Sequence, residues 1–186
     1  FTRERKIPVI LDDTRAFLEN ICARIKPLNI LEIGMAIGYS GAVMLLSSPT
    51  DCTITELEAS TPNIALAREN YKRLGLLDRV NIIEGDCLDT LDSLKGQKFD
   101  LIFLDGPKGK YIEILEKLLP LLHERGMLIA DNIGFRGMVE GKNEITEPRF
   151  SFTVCVLREF LDIIKNDMRL NSKVYFEIGD GLVIVQ

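Results

Sequence analysis

Oxygen-bearing side chains follow two strongly apolar segments of the sequence. Asp105 comes directly after the run 99–104, and Asp131 and Asn132 follow the run 126–130. Two carboxylates and an amide, with no His or Cys beside them, suit a hard divalent cation such as Mg²⁺. If the two runs are neighbouring strands, the pattern predicts a metal site made by Asp105, Asp131 and Asn132. Each Asp taken alone is more often a helix cap or a turn residue than a metal ligand.

A lysine follows the first of these acids closely. Lys108 lies three residues after Asp105, near enough to reach the same cavity. A neighbouring cation disfavours the charged form of a lysine, lowers its pKa and suits it to general-base catalysis. Lys108 would take a proton from a metal-bound hydroxyl or steady the oxyanion. Asp105 and Lys108 are therefore the predicted catalytic residues; the alternative for Lys108, as for Lys110, is a lysine in a solvated loop.

Two glycines after the first apolar run predict a turn against which a ligand could lie. Gly34 and Gly38 allow the backbone to bend sharply and a ligand to approach it closely. Their spacing is G-x-x-x-G, not the G-x-G-x-x-G of dinucleotide-binding turns, so the argument for a bound pyrophosphate is weak. The alternative for this glycine turn (residues 34–38) is a tight strand-to-helix connection without a ligand.

Acidic residues at the next two strand ends extend this candidate ligand site. Glu58 lies a little over ~20 residues beyond Gly34, where an acid can accept both hydrogen bonds of a ribose diol. Glu56 competes for that role from the same strand face, and the alternative for Glu58 is a solvated surface acid. Asp86, beside Cys87, could receive an adenine amino group or serve as a helix N-cap.

S-adenosylmethionine fits these features better than NAD does. The sequence offers a glycine turn, a candidate ribose acid and a candidate adenine-facing acid, but no pyrophosphate loop. Glu32 could meet the ammonium of the cofactor's methionine end through water, and loop amides could meet the carboxylate. The predicted reaction is in-line attack of a substrate oxygen on the sulfonium methyl. The predicted cofactor-binding residues are Glu32, Gly34, Gly38, Ser40, Glu58, Asp86, Cys87 and Asp105.

The elements that must position these residues alternate along the chain. Strand patterns span 29–34, 52–58, 80–84, 99–105 and 126–131, and helical patterns span 11–25, 39–46, 62–74, 88–94, 111–123 and 151–165. The segment 174–185 has two strand patterns around Asp180 and Gly181, a hairpin signal. The alternation predicts an α/β, doubly wound, Rossmann-like fold with a mostly parallel seven-stranded sheet and a C-terminal antiparallel hairpin. Ligands of such sheets bind beyond the carboxyl ends of the strands.

Composition excludes several other classes of protein. The chain has 186 residues, 46% of them apolar and 27% charged, and no linker-like stretch, so residues 1–186 are predicted to be one domain. A net charge of −5 argues against binding dominated by nonspecific attraction to nucleic acid. No apolar run approaches the ~20 residues of a membrane span, and the N-terminus lacks the apolar stretch of a secretory signal. Four cysteines without a CxxC pair predict reduced, mostly buried thiols and a cytoplasmic location.

Taken together, these motifs resemble the cation-dependent, catechol-type O-methyltransferases. The likeness runs from about Glu4 to Gln186 and is carried by the segments 31–40, 99–111 and 130–132. It implies a methyltransferase fold, S-adenosylmethionine and Mg²⁺ as cofactors, and a homodimer. It also implies that the metal ligands are Asp105, Asp131 and Asn132, the family lysine is Lys108, and the ribose acid is Glu58.

Two further segments, 131–139 and 179–182, resemble the bacterial tRNA 5-hydroxyuridine methyltransferases, which make 5-methoxyuridine at the wobble position. The 5-hydroxyl and 4-carbonyl of that uracil form a bidentate oxygen pair, as a catechol does. A small catechol-like phenol is therefore the alternative substrate, and a non-catalytic module that binds an adenosine-containing ligand is a third hypothesis. The chain departs from the family in carrying Gly106-Pro107 where bacterial relatives often have Ala-Ala. The family's extra N-terminal helices are expected to be absent or truncated here.

Two small features bear on a nucleic-acid substrate. Phe135 could stack on an unpaired base, as aromatic side chains do in RNA complexes, or it could be a core or dimer residue. Arg3, Arg5 and Lys6 form a basic cluster whose alternative is a solvated surface. Positive and negative charges balance over residues 133–149, so this segment does not favour tRNA by its charge.

Overall fold

A computed structural model describes residues 9–145 and 147–186; the basic cluster Arg3, Arg5 and Lys6 lies outside these ranges. The helices are α1 (Asp12–Ile25), α2 (Tyr39–Leu46), α3 (Thr61–Arg73), α4 (Cys87–Asp92), α5 (Tyr111–Leu118) and α6 (Pro148–Asn166). The strands are β1 (Asn29–Ile33), β2 (Thr53–Glu58), β3 (Val80–Glu84), β4 (Phe99–Leu104), β5 (Leu122–Asp131), β6 (Ser172–Tyr175) and β7 (Leu182–Val185).

The seven strands form one sheet in the order β3-β2-β1-β4-β5-β7-β6. Strands β1 to β5 are parallel, and β7 runs antiparallel to both β5 and β6. The predicted doubly wound sheet with antiparallel C-terminal strands is confirmed. The strand order reverses between β1 and β4, so the crevice beyond their carboxyl ends is the expected place for a ligand.

Apolar burial on both faces explains why β4 is central to the sheet. Leu101 and Phe103 pack into the core on one face, while Ile102 and Leu104 pack into the core on the other, and all four are 0% exposed. A strand covered on both sides reads as a continuous apolar run, and that is the pattern of this segment. The run ends at Leu104, so Asp105 is delivered to the edge of the sheet.

Some boundaries differ from the sequence prediction for local reasons. Helix α5 ends at Leu118 rather than His123, because Pro120 lies in a 3₁₀ turn and cannot continue an α-helix. β5 consequently begins at Leu122 rather than Gly126. Proline acts in the opposite sense at α6, which begins at Pro148, a favoured residue in the first turn.

The C-terminal strands pair as predicted, but their connection is not a tight Asp-Gly turn. Residues 176–181 separate β6 from β7. The carboxylate of Asp180 accepts hydrogen bonds from the backbone N–H of Arg136 at 2.7 and 2.9 Å, and its carbonyl oxygen accepts one from Gly134 at 2.8 Å. Asp180 therefore ties the connection to the loop that follows β5.

The remaining sequence expectations concern thiols and membranes. Cys22, Cys52 and Cys87 are buried and Cys155 is exposed, so the prediction of mostly buried thiols is confirmed, and their reduced state stays a prediction. Burial raises the pKa of Cys22 to about 12, because the thiolate would lose its hydration. Across residues 9–145 and 147–186, no helix has the length and apolarity needed to cross a bilayer.

Candidate active site

A cavity of about 760 Å³ lies beyond the carboxyl ends of β1, β2, β4 and β5. Its lining includes Gly34, Glu58, Asp105, Lys108, Asp131 and Asn132, all of them predicted site residues. A second cavity, of about 870 Å³, lies between α1 and the C-terminal strands, and none of the predicted site residues lines it. The strand-end cavity is therefore the candidate site, because it holds the chemistry-bearing side chains.

The glycine turn packs directly against the end of β4. Gly34 has φ of 95°, and a Cβ there would overlap the carbonyl oxygen of Asp105. Its backbone N–H donates to the carbonyl oxygen of Leu57 at 3.0 Å, and Gly38, with φ of 77°, donates to Met35 at 2.9 Å. Gly34 thus allows the turn to lie close to Asp105 at the end of β4.

Glu58 braces the glycine turn. One carboxylate oxygen accepts a hydrogen bond from the backbone N–H of Ala36 at 2.8 Å, and the other accepts one from Ser60 at 2.8 Å. Each carboxylate oxygen has a further lone pair, so Glu58 can still accept bonds from a ligand in the cavity. Glu56, the competing acid, is 0% exposed and does not line the cavity, so the geometry favours Glu58 as the ribose acid.

Asp86 has two internal partners. It caps α4 by accepting a hydrogen bond from Leu88 at 2.9 Å, and it pairs with Lys110 at 2.8 Å. The Lys110 ammonium, and then the Leu88 amide, lower the pKa of Asp86. The N-cap alternative therefore describes its structural role, and Lys110 is the partner of Asp86 rather than a free loop lysine. Cys87 is buried at the start of α4, and neither residue lines the strand-end cavity, so an adenine contact for either stays a prediction.

Glu32 lies beneath the glycine turn rather than in the cavity. Its side chain is 0% exposed, and it accepts a hydrogen bond from the hydroxyl of Ser40 in the first turn of α2. The structure therefore brings Glu32 and Ser40 to each other, but it does not bring Glu32 to the cavity lining. A contact of Glu32 with the ammonium of a cofactor stays a prediction.

The predicted metal ligands converge in the same cavity. Asp105 donates its backbone N–H to Ile33 at 2.9 Å, and Asp131, 1% exposed, accepts a hydrogen bond from the backbone N–H of Asn132 at 2.7 Å. Asn132 has φ of 56°, a left-handed conformation that Asn tolerates better than most residues. Burial, and then the nearby charge of Asp105, raise the pKa of Asp131 to about 7.

This donor set fits a hard divalent cation. Within the described residues no three His, Cys, Asp or Glu side chains cluster as a metal-binding group, so the candidate set has two carboxylates and is completed by the amide of Asn132. The raised pKa of Asp131 shows that its negative charge is poorly compensated. A cation held by Asp105, Asp131 and Asn132 would supply the missing compensation with the oxygen ligands that Mg²⁺ prefers.

Lys108 pairs with Asp105 at the lining of the cavity, and a lowering of its pKa by a bound cation stays a prediction. Its Nζ lies 2.5 Å from a carboxylate oxygen of Asp105 and 5.3 Å from the ring centre of Tyr111. Burial disfavours the charged form, but Tyr111 and Asp105 outweigh that effect and raise the pKa of Lys108 overall. Tyr111 in turn donates its hydroxyl to the carbonyl oxygens of Leu104 at 3.1 Å and Asp131 at 3.0 Å, which joins the ends of β4 and β5.

Asp180 belongs to the cavity although sequence reasoning did not assign it a site role. Its position between Gly179 and Gly181 predicted a hairpin turn, and the same Asp-Gly signal could have marked a loop at the sheet edge. Burial raises the pKa of Asp180, partly offset by the Arg136 amide. The residue thus joins Glu58, Asp105 and Asp131 as a fourth acid in the cavity lining.

An aromatic–basic cluster, formed by Phe135, Arg136, Arg149 and Phe150, adjoins Asp180. The guanidinium carbons of Arg136 and Arg149 lie 5.6 and 5.0 Å from the centre of the Phe150 ring, and Phe135 meets that ring edge-on at 5.4 Å. Phe135 and Arg136 have left-handed φ values of 44° and 60°. Such conformations cost free energy in bulky residues and often mark functional loops. Of the cluster, the sequence prediction had singled out Phe135 alone.

Comparison with known proteins identifies the class of this chain. Residues 4–186 match the family model of the O-methyltransferases. The chain is 31% identical over 185 residues to tapetum-specific methyltransferase 1 of Arabidopsis thaliana, a match that covers 97% of this chain and 77% of the relative. It is 33% identical over 135 residues to a catechol O-methyltransferase of Niastella koreensis, covering 71% of this chain and 61% of the relative.

A solved structure gives the same result. The crystal structure of the O-methyltransferase from Bacillus cereus, in complex with S-adenosylhomocysteine, matches with a TM-score of 0.85 and 27% identity, covering 99% of this chain and 86% of that one. The chain therefore belongs to the O-methyltransferase family. The predicted methyltransferase fold and the prediction of an enzyme that transfers a methyl group to oxygen are confirmed.

Proposed function

We propose that this protein is an S-adenosylmethionine- and Mg²⁺-dependent O-methyltransferase whose acceptor is 5-hydroxyuridine in tRNA. The observation that carries the proposal is the convergence of Asp105, Asp131 and Asn132 in one cavity, against which the glycine turn packs. Acceptor oxygen and methyl donor must lie side by side for in-line transfer, and these two groups of residues are adjacent. An acceptor with two neighbouring oxygens fits a single hard cation.

The cofactor half of the site is formed by β1, β2 and β3. Glu58 would accept hydrogen bonds from the ribose, the glycine turn would lie along the methionine end, and Asp86 would meet the adenine. S-adenosylmethionine would supply a methyl group on a positively charged sulfur. The similarity to the Bacillus cereus enzyme, solved with S-adenosylhomocysteine, supports this assignment.

The acceptor half is formed by β4 and β5. Asp105, Asp131 and Asn132 would hold Mg²⁺, which lowers the pKa of a bound hydroxyl and fixes its position. Lys108, whose Nζ lies 2.5 Å from a carboxylate oxygen of Asp105, would take the proton of the acceptor hydroxyl or steady the acceptor oxyanion. Tyr111 keeps the two strand ends together through its bonds to Leu104 and Asp131.

The aromatic–basic cluster supports a tRNA acceptor. The Arg136 backbone donates to Asp180, which lines the cavity, so the cluster borders the acceptor half directly. Aromatic rings and guanidinium planes are the surfaces on which proteins stack unpaired bases. Phe152, 67% exposed, lies beside Gly109 in the Lys108 loop and adds a further apolar surface. A small phenol would use little of this surface.

A small catechol-like phenol is the second candidate acceptor. The similarity to the catechol O-methyltransferase of Niastella koreensis favours it. The metal-binding residues would serve either substrate, because both present two adjacent oxygens. The homodimer implied by the family resemblance and the cytoplasmic location stay predictions; light scattering at several protein concentrations would test the first.

Parallel reactions on the two acceptors test the proposal. Hypomodified tRNA carrying 5-hydroxyuridine, and a catechol, are each incubated with the enzyme, S-adenosylmethionine and Mg²⁺. We expect 5-methoxyuridine in the digested tRNA and little methylated catechol, and no product with the Asp105→Asn variant. Methylated catechol without 5-methoxyuridine would establish the second candidate. Absence of product from both acceptors would contradict the proposed function.

A further inference from the structure

Two glutamates stand side by side in the sheet, away from the cavity. β1 and β2 are parallel, and their register places Glu32 beside Glu56. Both residues are 0% exposed. Side chains at paired positions of neighbouring strands point to the same face, so the two carboxyl groups meet in the interior. Two adjacent negative charges are strongly disfavoured there, because neither would be hydrated.

Each carboxyl group has one hydrogen-bond donor and one oxygen left over. The Ser40 hydroxyl of α2 donates to Oε1 of Glu32, and the Tyr71 hydroxyl of α3 donates to Oε1 of Glu56. A Cβ at Gly41 would overlap both Oε1 of Glu56 and the Tyr71 hydroxyl, so the glycine makes room for this bond. Oε2 of Glu32 and Oε2 of Glu56 are buried without a partner in the described part of the chain.

We propose that Glu32 and Glu56 share one proton between these two oxygens, and that this pair fixes the glycine turn. Glu32, as a carboxylic acid, donates to the Glu56 carboxylate, so the pair carries one negative charge instead of two. The bond from Ser40 to Glu32 joins the first turn of α2, which follows the glycine turn, to β1, which precedes it. Glu56 is therefore a positioning residue that acts through Glu32 and Ser40. The link to cofactor binding rests on the proposed function.

The surrounding charges favour retention of the proton. Glu58 at the end of β2 acts on Glu56, and Asp105 at the end of β4 acts on Glu32; both are negative and disfavour further ionisation. The facing groups on α2 and α3 are the neutral hydroxyls of Ser40 and Tyr71. Burial is the largest effect on both glutamates, and it raises the pKa of Glu56 to about 7 and that of Glu32 well above its usual value.

Linkage gives the sign of the pH dependence. A carboxyl group whose pKa is higher in the folded than in the unfolded chain stabilises the fold below its unfolded pKa. That stabilisation is lost as the pH rises through the folded pKa. The free energy of unfolding should therefore fall between about pH 4.5 and pH 7 through Glu56, and further at higher pH through Glu32.

Infrared difference spectroscopy tests the shared proton directly. The spectrum of the wild type minus that of Glu32→Gln is recorded at about pH 8, where an ordinary glutamate is ionised. We expect the carbonyl stretch of a protonated carboxylic acid, present in the wild type and lost in the variant. The exposed Glu69 on α3 provides the control, since Glu69→Gln should keep the band. A difference spectrum with carboxylate bands alone would overturn the proposal.

Variants of Glu56 test its positioning role. Glu56→Leu removes the acceptor for Tyr71 and the partner of Glu32, and we expect at least about tenfold weaker binding of S-adenosylhomocysteine by calorimetry. Glu56→Gln can still pair with both groups, so it should recover most of that affinity and reduce the loss of stability with rising pH. Wild-type affinity in Glu56→Leu would contradict the positioning role.

The two proposals fail in different ways. Should Glu56→Leu not fold, the pH profile of Glu56→Gln decides, because an unchanged fall in stability would contradict the shared proton. Should the wild type not bind S-adenosylhomocysteine, the proposed function fails, while the infrared and pH measurements still decide whether the glutamates share a proton.

Discussion

The two halves of the strand-end cavity differ in how their acids are compensated. In the cofactor half, Glu58 already accepts hydrogen bonds from the backbone amides of Ala36 and Ser60. In the acceptor half, Asp131 is buried next to the charge of Asp105, and its pKa is raised to about 7. The first half is pre-formed by the protein's own hydrogen bonds. In the second half, the Lys108 ammonium pairs with Asp105, and the proposed cation would compensate the buried Asp131.

The halves meet where β1 and the glycine turn lie against the end of β4. The backbone N–H of Asp105 donates to Ile33, and the absence of a side chain at Gly34 lets the glycine turn lie against the Asp105 carbonyl. Methyl donor and acceptor would therefore be held adjacent by the backbone, independently of the side chains that bind them. Variants should consequently affect one half, the other half, or the contact between them.

Loss of a metal ligand should have the largest effect and should be confined to the acceptor half. We expect Asp131→Asn to lower the rate of methyl transfer by about 10³-fold, because the cation and the bound hydroxyl lose their position. Affinity for S-adenosylhomocysteine should change by less than about threefold, since Glu58 and the glycine turn are intact. Initial rates and calorimetry measure both. Asp162→Asn, exposed on α6, is the control, and a rate for Asp131→Asn close to that control would contradict the metal assignment.

Addition of one methyl group at Gly34, where the two halves meet, should destabilise the fold. We expect Gly34→Ala to lower the free energy of unfolding by about 2–4 kcal/mol, because a left-handed φ and an overlap with Asp105 both oppose the side chain. Urea denaturation measures the change. Gly75→Ala shares the left-handed φ, at 70°, but meets nothing within 4 Å, so it should cost less, about 1–2 kcal/mol. Equal losses in the two variants would show that the overlap is relieved without cost.

Replacement of the ribose acid should affect the cofactor half alone. We expect Glu58→Gln to weaken binding of S-adenosylhomocysteine about tenfold, because one acceptor for the loop amides and the ligand is lost. Methyl transfer at saturating cofactor should change by less than about threefold. Glu84 occupies the paired position on β3 and supplies the matched control, Glu84→Gln. A loss of turnover at saturating cofactor would show that Glu58 contributes to both halves.

The smallest expected effect lies at the edge of the acceptor half. Arg149→Gln removes one guanidinium from the Phe150 ring, and we expect the KM for tRNA to rise about threefold. The KM for a catechol should not change, because a small acceptor does not reach this cluster. Arg73→Gln, exposed on α3, controls for the loss of a positive charge. An equal rise for both acceptors would remove the argument that the cluster binds RNA.

The strand ends could be predicted from the sequence because they depend on local patterns. The apolar run before Asp105 has to be a buried strand, and the acid after it has to lie at the sheet edge. The same reasoning predicted that Asp131, Asn132 and Glu58 lie at the sheet edge, and all three line one cavity. Helix ends were less accurate where proline intervened, as at Pro120, since a helical pattern alone does not show where a 3₁₀ turn begins.

Features that depend on contacts between distant segments could not be predicted. The pairing of Glu32 with Glu56 follows from the register of β1 against β2, which no local pattern specifies. The residue type of Asp180 indicated a tight turn. Its carboxylate instead accepts a hydrogen bond from the loop after β5. The ion pair of Lys108 with Asp105 depends on the path of the loop after β4, and sequence separation alone does not give the distance of 2.5 Å between their charged atoms.

Removal and return of Mg²⁺ test directly whether methyl transfer depends on a divalent cation. The enzyme and 5-hydroxyuridine tRNA are stripped of divalent ions by chelation, methyl transfer is measured, and Mg²⁺ is then added in excess of the chelator. We expect no 5-methoxyuridine in the stripped reaction and full recovery after addition, with no recovery in Asp131→Asn. Methyl transfer at an undiminished rate in the presence of the chelator would contradict this dependence.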